Sequence, residues 1–226
     1  METLLQLSGR SSVPYFARET FGFKGTVVRS GELRRIEALP RRVWDEEPLI
    51  SDLVKITTEN LRKPSGGMRL WKVQAAAIAE AVVYRGVFCP VGVGQGKALI
   101  SLLVPVAMEA RRPVLFVPAH LRDQTLRFVI PAMAEHWKLH PGLRVLSYSE
   151  LSQEKNADFL WEYRPDLIIL DECHEVKNRR SGRGRRLYRW FSEFPGCECV
   201  AMSGTVTTRS IKDFAHIASW CLKGRT

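Results

Sequence analysis

Cysteines are few in this sequence, and their spacing does not suit a metal site or a disulfide framework. The chain of 226 residues has five of them, at Cys89, Cys173, Cys197, Cys199 and Cys221. No two are separated by two residues, the spacing with which zinc sites usually begin. Cys197 and Cys199 are two positions apart beside an apolar run, which places both on one side of a strand. We therefore expect reduced thiols and no zinc site.

Long apolar runs are also missing. The longest apolar stretch, Ala98–Ala110, contains Ser101 and falls short of the roughly 18 residues that a membrane-spanning helix requires. The N-terminal sequence METLLQLSGRSSVPYF has no apolar core of the kind found in secretion signals. The hydrophobic share of 45% is ordinary for a globular protein with a sizeable core. We expect an intracellular, cytoplasmic protein with no membrane partner.

Positive charge is abundant but unevenly distributed. The formal net charge is +10, and residues 1–60 contribute none of it, because their nine basic and nine acidic side chains cancel. The segment Val176–Arg189 has no acidic residue and seven cations: Lys177, Arg179, Arg180, Arg183, Arg185, Arg186 and Arg189. Such a segment is often a solvated surface loop, but its charge also complements a phosphate backbone. We predict that it contacts nucleic acid.

Short apolar runs alternate with helical stretches from Arg69 onward. The runs predict strands at Gly86–Cys89, Pro113–Val117, Leu143–Ser147, Asp166–Asp171 and Cys199–Met202. Helices are predicted at Trp71–Tyr84, Ala98–Ala110, from Leu121 with an interruption at Pro131, in polar turns up to Tyr163, at Gly182–Phe194 and at Ser210–Leu222. This alternation predicts an α/β fold, a doubly wound and mainly parallel sheet with helices on both faces. Chemistry in such folds lies at the carboxyl ends of the strands.

A linker-like segment, Lys63–Gly67, marks the predicted domain boundary. Residues 64–226 follow as one α/β domain. Residues 1–63 are predicted to form an N-terminal extension, with turns at Gly22–Gly25 and Leu39–Arg42. The sequence assigns no function to this extension.

The most informative stretch is Pro90–Ser101, PVGVGQGKALIS. It places Gly94, Gly96 and Lys97 between a predicted strand and a predicted helix. Glycines allow backbone N–H groups to converge on an anion, and the helix N-terminus adds a partial positive charge. The lysine then reaches the β- and γ-phosphates of a nucleotide. We call this stretch the phosphate turn.

Two acidic residues, Asp171 and Glu172, directly follow the apolar sequence LIIL. A strand that ends there brings them to the same sheet edge as the phosphate turn. The first acid suits the binding of Mg²⁺, and the second suits activation of an attacking water. A polar cap on a strand end is the structural alternative, but the position downstream of a phosphate turn favours the catalytic interpretation. Ser203-Gly204-Thr205 also follows a predicted strand, and by itself it predicts only a turn.

Six motifs in order resemble those of the helicases and translocases of superfamily 2. They are Gln74, GVGQGKA (92–98), VLFVPAHLRDQT (114–125), LSYSEL (146–151), LIILDECHEVKN (167–178) and MSGTVTTRS (202–210). The resemblance covers residues 69–222 and implies a P-loop NTPase with a RecA-like fold. DECH, the tyrosine–serine pair and SGT are most similar to the branch of double-stranded DNA translocases, a form that phage and bacterial helicases also use. The resemblance implies an ATP-dependent motor that uses Mg²⁺ and binds DNA, with double-stranded DNA favoured over RNA.

The resemblance also implies how the nucleotide is held. Gln74 would read the adenine, Asp171 would organise Mg²⁺, and Glu172 would be the general base. The phosphates would be bound by Gly92, Val93, Gly94, Gln95, Gly96, Lys97 and Ala98.

Further residues are implied to contact nucleic acid or to couple it to the nucleotide. His174, Ser203 and Thr205 would couple the two sites. His120 and Arg122 would touch the backbone of one strand. The arginines that would add a DNA contact or a docking surface are Arg179, Arg180, Arg183, Arg185 and Arg186.

The sequence departs from the family pattern at the phosphate turn and at the C-terminus. The pattern G-x-x-x-x-G-K-[ST] has a glycine where Val91 stands and a Mg²⁺-ligating hydroxyl where Ala98 stands. Ser101 is one helical turn further on, and we expect it to be too distant to substitute. Family members continue into a second RecA-like domain that supplies arginine fingers, whereas Lys223–Thr226 resembles a shortened linker. We therefore expect a partner domain or subunit, and we expect hydrolysis by this chain alone to be impaired.

Two other functions remain open on the sequence alone. A truncated helicase domain with Ala98 could hold DNA or block a full-length partner as a non-catalytic binding module. Turnover on addition of the missing second domain distinguishes that module from a split motor. A P-loop kinase or small-molecule ATPase is the third interpretation, but it leaves DECH and SGT unexplained and no acceptor site is evident.

Overall fold

A five-stranded, all-parallel sheet forms the centre of the computed structural model, which describes residues 43–205 and 211–223. The strands are β1 (Gly86–Cys89), β2 (Pro113–Val117), β3 (Arg144–Ser147), β4 (Leu167–Asp171) and β5 (Glu198–Met202). Their spatial order is β1-β5-β4-β2-β3. This confirms the predicted α/β fold, and each strand lies within one residue of its predicted bounds. The turns predicted at residues 22–25 and 39–42, and residues 206–210 of the last motif, lie outside the described residues.

The sheet is covered by helices on both faces. The α-helices are α1 (Leu49–Leu61), α2 (Lys72–Tyr84), α3 (Lys97–Ala107), α4 (Ala119–Gln124), α5 (Ile130–His136), α6 (Tyr148–Ser152), α7 (Phe159–Tyr163), α8 (Gly182–Glu193) and α9 (Ala215–Leu222). Short 3₁₀ turns occur at Glu154–Asn156, Cys173–Val176 and Ile211–Phe214. In the part of the chain that the structure describes, no helix is both long and apolar enough to cross a membrane.

Strand β4 contributes side chains to two hydrophobic clusters, one on each face of the sheet. Leu167 and Ile169 belong to a cluster formed with α1, α2 and α3. Ile168 and Leu170 belong to a second cluster on the opposite face, with α8 and α9. Because alternate side chains of a strand point to opposite faces, a continuous apolar run is what a sheet covered on both sides requires.

The helix after β2 differs from the expectation. We expected Pro131 to interrupt it, but the helical backbone continues from α4 through a π-helical turn, Thr125–Val129, into α5. The backbone N–H of Ile130 bonds to the carbonyl of Thr125, five residues back. Pro131 lies in the first turn of α5, where the hydrogen bond that a proline cannot donate is least missed. The wider turn therefore accommodates the proline without a break.

Helix α1 packs against the α/β core. Its apolar residues Ile50, Leu53, Val54 and Leu61 are all buried in the cluster that contains α2 and α3. After α1, the backbone N–H of Lys63 bonds to the carbonyl of His136 over 2.9 Å. The domain boundary at residues 63 and 64 stays a prediction, although the helix before it shares the core.

Candidate nucleotide and nucleic-acid site

The phosphate turn joins β1 to α3 at the carboxyl edge of the sheet. Gly94 and Gly96 have φ values of 81° and 72°, in the left-handed region that favours glycine. Gly96 caps α3, and Lys97 is the first residue of that helix. A side chain at position 94 would meet no other atom within 4 Å, so a ligand can approach the backbone there closely. This geometry is that of an anion cradle.

Gln74 lies beneath the phosphate turn. By itself it reads as a surface residue of a helix, yet it is only 4% exposed. Its Oε1 accepts the Trp71 backbone N–H over 2.9 Å, and its Nε2 donates to the Gly96 carbonyl over 3.4 Å. A Cβ at position 96 would overlap the Gln74 amide nitrogen, so a larger residue would displace this side chain and also strain the left-handed backbone. Gln74 supports the phosphate turn through its hydrogen bond to Gly96. Its contact with adenine stays a prediction.

Lys97 and Glu172 meet directly, as the shared sheet edge predicts. Lys97 Nζ lies 3.0 Å from Glu172 Oε1, and it also donates to the Val91 carbonyl over 3.3 Å. Glu172 has a φ of 52°, a left-handed conformation that non-glycine residues adopt at a cost. Its backbone N–H donates to Asp171 Oδ1 over 3.0 Å. The acidic pair and the lysine therefore form one compact group.

His174, Ser203 and Thr205 extend this group into a polar network. Ser203 Oγ donates to Glu172 Oε2 over 3.3 Å and lies 3.1 Å from His174 Nδ1. Thr205 Oγ1 lies 3.2 Å from the same His174 nitrogen. The structure thus brings together the residues that the resemblance assigns to coupling, although they come from two separate strand ends.

Gly204 lies where the loop that carries Ser203 and Thr205 packs against the phosphate turn. A Cβ there would lie 3.3 Å from the Val93 backbone nitrogen, which is tighter than ordinary van der Waals contact, and 3.4 Å from Lys97 Nζ. The small residue in SGT therefore lets the two loops approach each other.

The two carboxyl groups respond oppositely to this environment. Burial alone would raise the pKa of Glu172, but the hydrogen bond and the charge of Lys97 outweigh it and hold the pKa below its usual value. Burial and the adjacent Glu172 charge raise the pKa of Asp171 to about 6, against the opposing effect of Lys97. Glu172 is therefore ionised at neutral pH, whereas Asp171 is ionised at a cost that a bound cation would offset.

We predict that Asp171→Asn stabilises the protein at neutral pH. A carboxyl whose pKa is higher in the folded state costs nothing below its unfolded value, near pH 4. It becomes destabilising as the pH rises through about 6. The full penalty is about 3 kcal/mol, and asparagine removes the charge while it keeps the oxygen that accepts the Glu172 N–H.

The measurement is urea unfolding at pH 4 and pH 7.5 without divalent cations. We expect a higher free energy of unfolding for Asp171→Asn at pH 7.5 only. Asp158→Asn, at an exposed position, serves as the control. An equal effect of Asp171→Asn at both pH values would contradict a penalty that arises from the buried charge.

One residue at this sheet edge, Asp171, has the chemistry of a Mg²⁺ ligand. Asp171 offers a hard carboxylate oxygen, and Mg²⁺ in nucleotide sites takes one or two carboxylates together with phosphate oxygens. Within residues 43–205 and 211–223, no group of three or more His, Cys, Asp or Glu side chains is arranged so that it could hold a metal ion. Ala98 is exposed and has no hydroxyl. Ser101 is fully buried in α3 and does not replace it.

His120 and Arg122 lie on α4, which begins at the end of β2. His120 is exposed. Arg122 Nε lies 2.9 Å from Glu150 Oε2 at the start of α6. Ser147 and Glu150 form a capping box at the start of α6. The second role of Glu150, as partner of an arginine 28 positions away, has no local signal.

The arginine segment is partly compensated, which corrects the interpretation of seven uncompensated cations. Arg183 pairs with Glu175 over 2.7 Å, and Arg189 pairs with Glu193 over 2.7 Å. Arg186 donates to the carbonyls of Leu151 and Gln153. These acids lie outside the run itself, so its composition did not show them.

Three arginines of the segment remain directed to solvent. Arg179 stacks over the Tyr188 ring at 4.1 Å, and both residues are exposed. The side chains of Arg180 and Arg185 are exposed and form no ion pair within the described parts of the chain. We call Arg179, Arg180 and Arg185 the open arginines.

Comparisons with known proteins bear on the fold. No protein-family model and no curated protein matches the chain. Among solved structures, it is similar to the Sulfolobus solfataricus SWI2/SNF2 ATPase core in complex with dsDNA, with a TM-score of 0.51 and 15% sequence identity. The match covers 71% of this chain and 37% of that chain, so the protein spans well under half of the structure it resembles. This likeness confirms the predicted α/β fold of the RecA-like, P-loop type.

Proposed function

We propose that this chain is the first motor domain of an ATP-dependent DNA helicase or translocase of superfamily 2. The contact that carries this proposal is the pair between Lys97 of the phosphate turn and Glu172 of DECH, at 3.0 Å. Two motifs far apart in sequence meet at one sheet edge, which supports a common role in ATP hydrolysis. The similar solved structure is an ATPase core bound to double-stranded DNA, which supports the same assignment.

The residues at this edge would each have a separate role in ATP binding and hydrolysis. The N–H groups of the phosphate turn and the ammonium of Lys97 would bind the β- and γ-phosphates. Glu172, ionised at neutral pH, would orient the attacking water and accept its proton. Asp171 would hold Mg²⁺, which neutralises charge that develops on the phosphates when it is bound.

The same edge would carry the nucleic acid. His120 and Arg122 follow β2, and the open arginines lie near the start of α8, one connection after DECH. Arg183 and Arg186, which are already paired, would act by supporting this surface. The cations suit a phosphate backbone and carry no base-specific information, as expected for a motor that tracks duplex DNA.

A second RecA-like domain or subunit would complete the motor. The chain matches 37% of the solved ATPase core. Arginine fingers supplied by a partner domain contribute about 10³- to 10⁵-fold to related phosphoryl transfers. Slow turnover by this chain alone is therefore compatible with the proposal.

A non-catalytic binding module is the second candidate, and Ala98 favours it. Without the hydroxyl at this position, one Mg²⁺ ligand has to be replaced by water. A module of this kind would bind DNA or block a complete motor without turnover.

The decisive experiment restores the missing hydroxyl. We expect Ala98→Thr to raise the affinity for ATP in the presence of Mg²⁺ by about tenfold, because it returns one ligand to the ion. ATP binding is measured by calorimetry with and without Mg²⁺, and hydrolysis is followed with and without duplex DNA. Ala132→Thr, at an exposed helical alanine of α5, is the matched control.

Each outcome selects one function. DNA-stimulated hydrolysis in either protein supports the motor, as does hydrolysis that appears only when a second RecA-like domain is added. ATP binding with no turnover under any of these conditions supports the binding module. Absence of ATP binding in both proteins rejects a nucleotide site at the phosphate turn.

A further inference from the structure

Tyr148 is buried at the junction between the two proposed sites. It is the first residue of α6, directly after β3, and its side chain is 1% exposed. Its ring stacks on Phe116 of β2, with the centroids 6.0 Å apart. Its hydroxyl donates a hydrogen bond of 2.8 Å to the backbone carbonyl of Asp171. A buried tyrosine hydroxyl needs such a partner, but this partner belongs to the candidate catalytic edge.

The accepting carbonyl is part of the peptide that leads into Glu172. Strand β4 pairs with β2 as far as Leu170, whereas its pairing with β5 continues to Asp171. Beyond Leu170, the Tyr148 hydroxyl supplies the hydrogen bond on that side. The next residue, Glu172, adopts the left-handed conformation described above. A peptide that precedes a strained residue is held only if its surroundings fix it, and this hydroxyl is one such contact.

The same turn of α6 reaches the proposed nucleic-acid edge. Glu150, two residues after Tyr148, accepts the Ser147 backbone N–H over 2.7 Å with Oε2. That same oxygen lies 2.9 Å from Arg122 Nε. Arg122 also donates from Nη1 to the exposed Asp123 carboxylate over 3.3 Å, so Glu150 is the partner that links it to α6. One short helical turn therefore contacts both the arginine proposed to bind DNA and the peptide of the proposed general base.

We propose that Tyr148 is a positioning residue that transmits nucleic-acid binding at Arg122 to Glu172. This inference rests on the proposed function. A DNA phosphate competes with Glu150 for Arg122, because both are anions and the guanidinium is common to them. Release of Glu150 changes the cap of α6, and Tyr148 moves with the first turn of that helix. The Asp171–Glu172 peptide follows through the hydroxyl, so the two sites are linked by shared backbone.

The linkage is tested as a coupling between two ligands. Binding of the non-hydrolysable analogue AMP-PNP with Mg²⁺ is measured by calorimetry in the absence and presence of saturating duplex DNA. Coupled sites typically change each other's affinity by about 5- to 150-fold, and the factor must be the same in both directions. We expect such a factor in the wild-type chain and a factor near one in Tyr148→Phe. The coupling factor of each variant is calculated from that variant's own affinity for each ligand alone, because the hydroxyl also supports the Asp171–Glu172 peptide.

Two further variants make the test specific. Tyr163→Phe removes a hydroxyl that also donates to a backbone carbonyl, that of Gly142, but at an exposed site. We expect it to keep the wild-type coupling factor. We expect Glu150→Gln to lower the coupling factor as well, because it removes the ion pair with Arg122. The factor in the double variant with Tyr148→Phe is no lower than in Tyr148→Phe, because both residues act on the same route through α6. Thermal unfolding of each variant shows that it is folded.

The outcomes separate this inference from the proposed function. Wild-type coupling that survives in Tyr148→Phe overturns the inference, and so does binding of both ligands without any coupling. A coupling factor that Glu150→Gln leaves at the wild-type value overturns the shared route through α6. If neither AMP-PNP nor DNA binds the wild-type chain, the proposed function itself fails.

Discussion

Replacing Lys97 with alanine lowers the affinity for ATP by at least about 100-fold. In the proposed function Lys97 would bind the β- and γ-phosphates, and two charge-assisted hydrogen bonds are together worth about 3 kcal/mol or more. The same change leaves Asp171 and Glu172 adjacent without the ammonium that lies 3.0 Å from Glu172. Like charges at this edge then oppose the entry of a polyanion. Calorimetry with ATP and Mg²⁺ measures the loss.

Lys72→Ala is the matched control for this result. Lys72 is exposed and pairs with Glu47 over 2.7 Å, in the first turn of α2. Its removal takes away the same charge without touching the phosphate turn, so we expect ATP affinity within about twofold of the wild type, as for an exposed ion pair. Equal affinities for Lys97→Ala and the wild type would show that nucleotide does not bind at this turn.

We expect loss of the open arginines to weaken duplex DNA binding and to make it less dependent on salt. The variant changes Arg179, Arg180 and Arg185 to alanine together. Each phosphate contact contributes about 0.9 to the slope of log K against log salt concentration, so the loss of three lowers the slope by up to about 2.7. Fluorescence anisotropy at several salt concentrations measures both quantities. The affinity loss is greatest at low salt, where counterion release is strongest.

The control variant removes the same charge from the opposite end of the sheet. Arg111, Arg112 and Arg164 are exposed and precede strands β2 and β4, away from the carboxyl edge. We expect their change to alanine to leave the salt slope within about one contact of the wild-type value. Equal effects of the two triple variants would indicate a non-specific response to net charge. Unchanged affinity and slope after removal of the open arginines would contradict the DNA contact and favour a protein-docking surface.

The strands were predictable because their signal is local. A run such as LIIL in β4 is apolar without a break, and only a sheet covered on both faces buries every one of its side chains. The position of the phosphate turn and of DECH at one edge then follows from parallel topology. The order of the strands does not follow from any single run, because it depends on which helices pack on which face.

Much of the candidate site was beyond sequence reasoning because its contacts are non-local. Gln74 is polar and lies among alanines, so its periodicity predicts a surface position. Its burial depends on the Gly96 carbonyl, 22 residues away. Likewise, Arg186 meets carbonyls more than 30 residues upstream, which no count of charges within the segment shows. The left-handed conformation of Glu172 also has no signal in the residue type, since glutamate rarely adopts it.

The contact between Lys97 and Glu172 imposes an order of events on the proposed chemistry. The lysine would have to exchange the carboxylate of Glu172 for the phosphates of ATP, because one ammonium serves both partners. Glu172 would then be free to accept a proton from the attacking water. The general base would thus become available only after the substrate had bound.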